Sequence, residues 1–487
     1  MKKKLSPIMF VGTGSDVGKS WICTGICRIL LQDGHQPAPY KAQNMSLNSY
    51  ATPNGLEIGR AQAVQAEACS LESDSDMNPV LMKPTSDQSA QIILNGKPIG
   101  TQTAKEYFLS PDRDQLFEEV KQAFQRLEDK YNPIVMEGAG SISELNLKHL
   151  DITNMRIAKA AKANVYIISD IDKGGVFASV YGSMMLLDEE ERALVKGIII
   201  NKFRGDIELF TEGKKILEDL CKVPVVGIIP YNRDIVIEEE DSASLKNKNL
   251  NNNKGVKIGV VLLNHMSNFT DFNVLERDER IQLFYSDEPE ELDKADIIII
   301  PGTKSTITDL QIIRDKGIVK SIHKAVQENR SVIGICGGFQ MLGEVINDPE
   351  NIESNQAFVP GIGLLPIATN MKQEKRSVQT IFSFKNSDKQ CKGYEIHMGD
   401  SKLSEDHHMN QLNDGSYEGC YLNNKLWGSY IHGIFDNQAV IDDMVAPYTQ
   451  EKAVNTVSYS EFKDQQYDGL ADFLRIHLDM NRIYEDM

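Results

Sequence analysis

Residues 6–20, SPIMFVGTGSDVGKS, run a short apolar segment into a glycine-rich turn and then into Lys19 and Ser20. An apolar run of that length bounded by glycine reads as a buried strand, and the glycine-rich turn reads as a loop opening a helix. Strand, loop and helix in that order are the building unit of a parallel α/β sheet. Glycines let backbone N–H groups curl around phosphate oxygens, and the helix N-terminus adds partial positive charge. Lys19 can neutralise phosphate, and Ser20 can ligate magnesium. Gly12, Thr13, Gly14, Ser15, Asp16, Val17, Gly18, Lys19 and Ser20 are therefore the candidate nucleotide-binding residues. The common phosphate-loop spacing places glycine at position 13, where this chain carries Thr13.

Outward from this loop the same kind of apolar run recurs in NPIVMEG (132–138), NVYIISD (164–170), VKGIIIN (195–201) and VPVVGIIP (223–230). Between them, DRDQLFEEVKQAFQRLEDK (112–130) sets Phe117, Val120, Phe124 and Leu127 at near-helical spacing. Buried strands alternating with amphipathic helices predict a largely parallel sheet. A second series, VKIGVVLL (256–263), ADIIIIPGTK (295–304) and SVIGIC (331–336), predicts another α/β domain. Residues 238–255, EEEDSASLKNKNLNNNKG, lack an apolar period and read as a polar linker. The expected organisation is a first domain over 1–237, the linker, and a second domain over 256–487. That second domain would include the helical tail DGLADFLRIHLDM (468–480), with Leu470, Phe473, Leu474, His477 and Leu478 on one stripe. A chain of 487 residues is too long for one core and suits about 2–3 domains.

The formal net charge of −18 offers no field to attract nucleic acid or an anionic membrane. Seven cysteines lie at 23, 27, 69, 221, 336, 391 and 420 without a compact pairing pattern. They read as reduced thiols of a cytoplasmic protein. The basic start MKKKLSPIMFVG has too short an apolar part for a signal peptide, and no segment is long and apolar enough to span a bilayer.

Acidic residues after predicted strands are candidates at the ligand edge of an α/β sheet. Glu137 in MEGAGS and Asp172 in SDIDKGGVFAS are candidate magnesium ligands beside Ser20 and Asp16, and each is also a possible turn cap. Asn201, opening NKFRGD, is a candidate contact to the nucleotide base. The polar stretch KAQNMSLNSYATPNGLEIGRAQAVQAEAC (41–69) offers Lys41, Asn44, Ser46, Glu57 and Arg60 to a carboxylate-bearing substrate, or simply solvates a long loop.

In SVIGICGGFQMLGE (331–344), Cys336 stands where an apolar run gives way to two glycines and a helix. It is either a packed thiol or a nucleophile displayed on a tight elbow, and the adjacent glycines favour the elbow. A basic partner is offered by His432 in WGSYIHGIFDN and by His397 in KGYEIHMGD. A Cys–His pair can form a thioester, release ammonia and then hydrolyse the thioester. Gly302 and Thr303 of PGTKST, with Gly337, are candidate N–H donors to the oxyanion of that reaction.

The ordered set GTGSDVGKS, QNMSLNSY, EIGRAQAVQA, MEGAGS, DIDKGGVFAS, NKFRGD, VLLNHMSNFTDF, PGTKST, GICGGFQMLG, GYEIHMG and GSYIHGIFDN resembles the glutamine-hydrolysing cobyric acid synthases over nearly the full chain. The resemblance implies a dethiobiotin-synthetase-like phosphate-loop domain joined to a class I glutamine-amidotransferase-like domain. It implies ATP, Mg2+, glutamine and a corrinoid as ligands, and amidation of the b, d, e and g carboxylates of adenosylcobyrinic acid a,c-diamide. It implies Cys336 as nucleophile and His432 as its partner. Related glutaminases carry an acid two residues after that histidine, where this chain has Ile434, so what orients His432 stays open. Cobyrinic acid a,c-diamide synthase shares the architecture, but QNMSLNSY and a phosphate loop almost at the N-terminus point away from it. A scaffold ATPase with a degenerate glutaminase module has no need of both Cys336 and His432. The oligomeric state is not legible.

Overall fold

The computed structural model describes residues 4–238 and 255–487, apart from 87, 110–112, 386, 388, 404–405, 452 and 454–456. In the first half, β1 (Ile8–Gly12), β2 (Ala38–Tyr40), β3 (Ile134–Glu137), β4 (Asn164–Asp170), β5 (Val195–Phe203) and β6 (Val225–Pro230) form a parallel sheet in the order β6-β5-β4-β1-β3-β2. All five residues of β1 are buried, because helices cover both faces. Its central place puts the loop after Gly12 at the carboxyl edge, beside the ends of β3 and β4.

Helix α1 (Lys19–Gln32) starts directly after Gly18, whose φ of 96° lies in the left-handed region. A side chain there would also collide with Asn201 Nδ2, 2.1 Å from the position of a Cβ. Helix α2 (Arg60–Ala68) is almost wholly buried. Helix α3 (Arg113–Glu128) buries Phe117, Val120, Phe124 and Leu127, the face its spacing predicts.

The second half is built on β7 (Val256–Val261), β8 (Ile281–Ser286), β9 (Ile297–Ile300) and β10 (Ser331–Ile335), with β13 (Leu426–Ser429) parallel to β10. Beyond β13 the sheet turns antiparallel and reaches the long hairpin of β11 (Ile367–Phe384) and β12 (Gln390–Leu403). The short β14 (Ile431–His432) pairs with β12. Helix α4 (Gly337–Leu342) follows β10. Each half has its own apolar core, that of the first divided between the two faces of its sheet.

One expectation fails in its partner. Helix α5 (Tyr459–His477), read as the close of the second half, keeps only its start there, with Tyr459 and Phe462 on the second core, and packs the rest of its length on the first half. Its Leu470 and Leu474 lie against α1 at Gly25, where a Cβ would come within 2.3 Å of Leu474 Cδ1. Arg28 pairs with Asp468 at 2.7 Å and Arg475 with Asp33 at 2.7 Å. The apolar stripe is legible, but the face left open on α1 decides where it goes. His477 is half-buried against Phe473, with ring centroids 4.6 Å apart. Only the ends of the expected linker, Glu238 and Gly255, belong to the described residues. Glu238 is half-buried, and its carboxylate, itself little exposed, pairs with Arg60 at 2.7 Å.

The halves also meet at a polar seam. Asn268 Nδ2 donates to Ser49 O at 3.0 Å, the Phe269 N–H donates to Asn48 Oδ1 at 3.1 Å, and Tyr50 packs on Tyr394.

Candidate active sites

At the carboxyl end of β3, Glu137 is buried and fully engaged. It accepts from Ser20 Oγ at 2.8 Å, from Lys41 Nζ at 2.9 Å and from Gln65 Nε2 at 2.6 Å. Burial alone would raise its pKa, but the Lys41 ammonium and the two neutral donors outweigh that and hold it below the ordinary value. Lys19 reaches back over the loop to Gly14 O at 2.9 Å and across to Gly140 O at 3.0 Å. Thr13 meets Ser169 through their hydroxyls at 3.0 Å, and its carbonyl accepts from Ser141. The non-glycine at position 13 is thus accommodated by a hydrogen bond to β4.

These groups border a cavity of about 1660 Å³. Ser15, Asp16, Gly18, Lys19 and Ser20 line it from the loop, and Lys41, Asn44 and Ser46 from the following segment. Gly12, Thr13, Gly14 and Val17 shape the loop without lining the cavity. Asn201 lines it too, but its amide donates to Val17 O at 2.8 Å, so it braces the loop from beneath.

Two expected magnesium ligands stand together, Ser20 and Glu137, and Asp16 faces the same space. Asp172 does not join them. It lies exposed with Arg204 at 2.6 Å, which holds its carboxyl below the ordinary range. A hydroxyl and a carboxylate beside a phosphate loop suit a hard cation that keeps several waters and phosphate oxygens as its other ligands. The donor set therefore fits magnesium. Glu57 and Arg60 also depart from expectation, since neither lines the cavity. Glu57 is bound by Lys83 at 2.8 Å and by Lys375 of the second half, and Arg60 lies over Tyr50 and pairs with Glu238. Buried charges must be paired, and these find partners across tertiary contacts.

The second centre forms where β10 meets α4. Cys336 has φ 50° and ψ −108°, a conformation rare for a residue with a side chain and held here by the packing around it. At Gly338 a Cβ would stand 2.0 Å from Ile300 O, so glycine is what lets α4 press against β9. Cys336 Sγ lies 3.7 Å from Ile396 O and shares a side-chain hydrogen bond with His432.

His432 Nδ1 meets Asp271 Oδ2 at 2.7 Å, and the Gly433 N–H donates to Asp271 Oδ1 at 2.9 Å. Asp271 therefore orients the imidazole, the role left open by Ile434. Burial would lower the His432 pKa, but Asp271 and Cys336 together push it up to about 10. His397 lines the same small cavity with both nitrogens engaged, by Glu395 at 3.1 Å and Gly399 O at 2.6 Å, and its ring lies flat on Tyr430.

The expected oxyanion donors gather beside the pair. A Cβ on Gly337 would be 3.1 Å from Thr303 N, and one on Gly302 would be 3.0 Å from His432 Cε1. Asp271 is absent from the sequence-based candidates. A buried acid between Phe269 and Phe272 in NFTDF is the one signal that could have raised it, since acids seldom lie among aromatics without a partner.

One loop separates the two centres. Its Met266 and Phe269 line the large cavity, and Ser267 and Asn268 line the small one beside Cys336.

Residues 8–245 match the CobQ/CobB/MinD/ParA nucleotide-binding domain family, and residues 257–440 the CobB/CobQ-like glutamine amidotransferase domain family. Cobyric acid synthases from Parabacteroides distasonis and Phocaeicola vulgatus are each 54% identical, over 100% of this chain and 100% and 99% of theirs. The chain belongs to the cobyric acid synthase family. A more distant cobyric acid synthase, from Caldanaerobacter subterraneus, is 42% identical over 99% of this chain and 98% of its own. As a member of the family the chain is a ligase in which an amidotransferase domain serves a nucleotide-binding domain. Among the described residues, no helix is long and apolar enough to cross a membrane.

Proposed function

We propose that the chain uses ATP and glutamine to convert the b, d, e and g carboxylates of adenosylcobyrinic acid a,c-diamide to amides, giving adenosylcobyric acid. The observation that carries this reading is the shared loop 266–269, which makes one wall of both the Cys336 cavity and the phosphate-loop cavity. The full-length likeness to proteins named cobyric acid synthase supports the choice of substrate.

In the small cavity, the Cys336 sulfur attacks the side-chain amide carbon of glutamine. The N–H groups of Thr303 and Gly337 receive the oxyanion, and His432 passes a proton to the departing nitrogen. Ammonia leaves, and water then cleaves the thioester to glutamate. In the large cavity, a substrate carboxylate oxygen attacks the γ-phosphorus of ATP and ADP departs. The acyl phosphate is needed because oxide is a poor leaving group and phosphate a good one. Ammonia attacks that carbonyl, and the amide forms as phosphate leaves.

Lys19 faces the phosphates, and Lys41, Asn44 and Ser46 face the carboxylate-bearing ligand. Ser20 and Glu137 would hold magnesium, which disperses charge on the transferring phosphoryl group. Purified protein supplied with ATP, magnesium, glutamine and the a,c-diamide should yield a product four amides richer by mass spectrometry. Absence of any amidated corrinoid, with ammonia supplied in place of glutamine as well, would overturn the reading.

A further inference from the structure

The small cavity holds more positive charge than its own walls neutralise. Beside Cys336 and His432 it is lined by Lys83, Lys304 and Lys375 and by Glu353. Glu57 lies behind two of these lysines, its oxygens occupied by Lys83 at 2.8 Å and by Lys375. Lys83 also donates to Ser49 Oγ at 2.9 Å. The Lys304 ammonium has no hydrogen-bonding or ion-pair partner among the described residues. Glu353, on the other wall, accepts from Thr306 Oγ1 at 3.4 Å and the Ile307 N–H at 3.3 Å, and from the Thr306 backbone. Lys304 feels Glu353 across the cavity without forming an ion pair with it, so three ammonium groups share two carboxylates, Glu57 and Glu353, and that surplus beside a nucleophile points to an anionic ligand. Burial lowers the Lys375 pKa to about 7 against the pull of Glu57, with Lys83 and Lys304 adding to the fall, so an arriving carboxylate would restore its full charge.

We propose that Lys304, Lys375 and Lys83 form the subsite for the α-carboxylate of glutamine, with Glu353 facing its ammonium group. The subsite spans the two domains, because Lys83 and the Glu57 that orders two of the lysines belong to the first. The glutaminase pocket is therefore complete only when the synthetase half is docked on it. This assignment rests on the glutaminase reading of Cys336 given above.

Glutamine binding to the Cys336→Ala protein, measured by calorimetry, tests the subsite without turnover. Adding Lys304→Met should weaken binding roughly 30-fold or more, whereas Lys304→Arg should recover most of it. Glutamine should outcompete 4-aminobutanamide, which lacks the carboxylate, in the Cys336→Ala protein, and that preference should disappear with Lys304→Met. Lys83→Gln, in the other domain, should weaken glutamine binding roughly tenfold and Lys83→Arg far less. Circular dichroism, together with ammonia-driven synthesis by the same lysine variants on the Cys336 background, reports that each is folded. Binding within twofold and an unchanged preference in Lys304→Met would overturn the carboxylate assignment. A loss confined to Lys304→Met, with Lys83→Gln unaffected, would overturn its cross-domain part. If the unsubstituted protein hydrolyses no glutamine, the glutaminase reading falls instead.

Discussion

The two cavities differ in volume by more than an order of magnitude, about 1660 Å³ at the phosphate loop and about 40 Å³ at Cys336. The larger must admit ATP together with a polycarboxylic ligand that presents different edges in successive rounds. Its polar groups accordingly line an open space. The smaller has its groups already assembled around a thiol: His432 bound to Asp271, the Thr303 N–H beside Gly337, and the elbow at Cys336. Both side chains of the His432–Asp271 pair are buried, so their interaction is strengthened by the low local dielectric. The contrast separates a centre built for repositioning from one built for preorganisation, and each can be disabled without the other.

The largest effect on turnover should come from Cys336→Ala. Glutamine-driven synthesis should fall on the order of 10³-fold or more, whereas ammonia-driven synthesis persists. Loss of both in a folded protein would break the division of labour. Lys19→Ala attacks the other side and should reduce ATP-dependent synthesis about 10²- to 10³-fold with either nitrogen source. Ammonia-driven rates at the level of the unsubstituted enzyme would refute the phosphate contact.

Asp271→Asn should lower glutamine hydrolysis by about 10²-fold and spare the ammonia-driven reaction. The raised His432 pKa, about 10, means the pair's stabilisation is complete below about pH 6.5 and lost as pH rises through 10. In the asparagine variant the alkaline limb of glutaminase activity should move to lower pH, and denaturation midpoints should lose that alkaline dependence. An unmoved limb would mean that Asp271 is only packing. Smallest in its effect on turnover is Leu474→Ala, which should leave rates at 25 °C nearly unchanged. It should cost about 2–5 kcal/mol of stability in the unfolding transition of the first domain. Destabilisation confined to the second domain would contradict the packing of α5 on α1.

Legibility in the sequence depends on the range of the interactions. The phosphate loop, the strands of both sheets and the Cys336 elbow are local patterns, so apolar runs and glycine placement reveal them. Ser20 and Glu137 are 117 residues apart, yet each is marked by its own place at a strand end. Asp271 is 161 residues from His432, and nothing near either residue announces the other. Glu57 reads as part of a substrate loop because its partner Lys375 lies 318 residues on, in the other half. Asp172 occupies the expected strand end, but Arg204, 32 residues later, claims its carboxylate. The stripe on α5 shows that the helix buries a face, not which face it meets.

The packing of α5 on α1 also bears on how the polypeptide is made. Leu470 and Leu474 complete the core over α1, and the Ser6 N–H donates to Met487 O at 2.8 Å. On a ribosome the first domain therefore waits, its α1 face uncovered, until α5 has been translated. A nascent first half on its own leaves the α1 face around Trp21 and Gly25 open to any chaperone at hand. Because Ser6 and Met487 lie side by side, a permuted chain that joins these two segments through a short bridge and opens elsewhere would make the clasp early. Such a permutant should fold with less aggregation than the natural order.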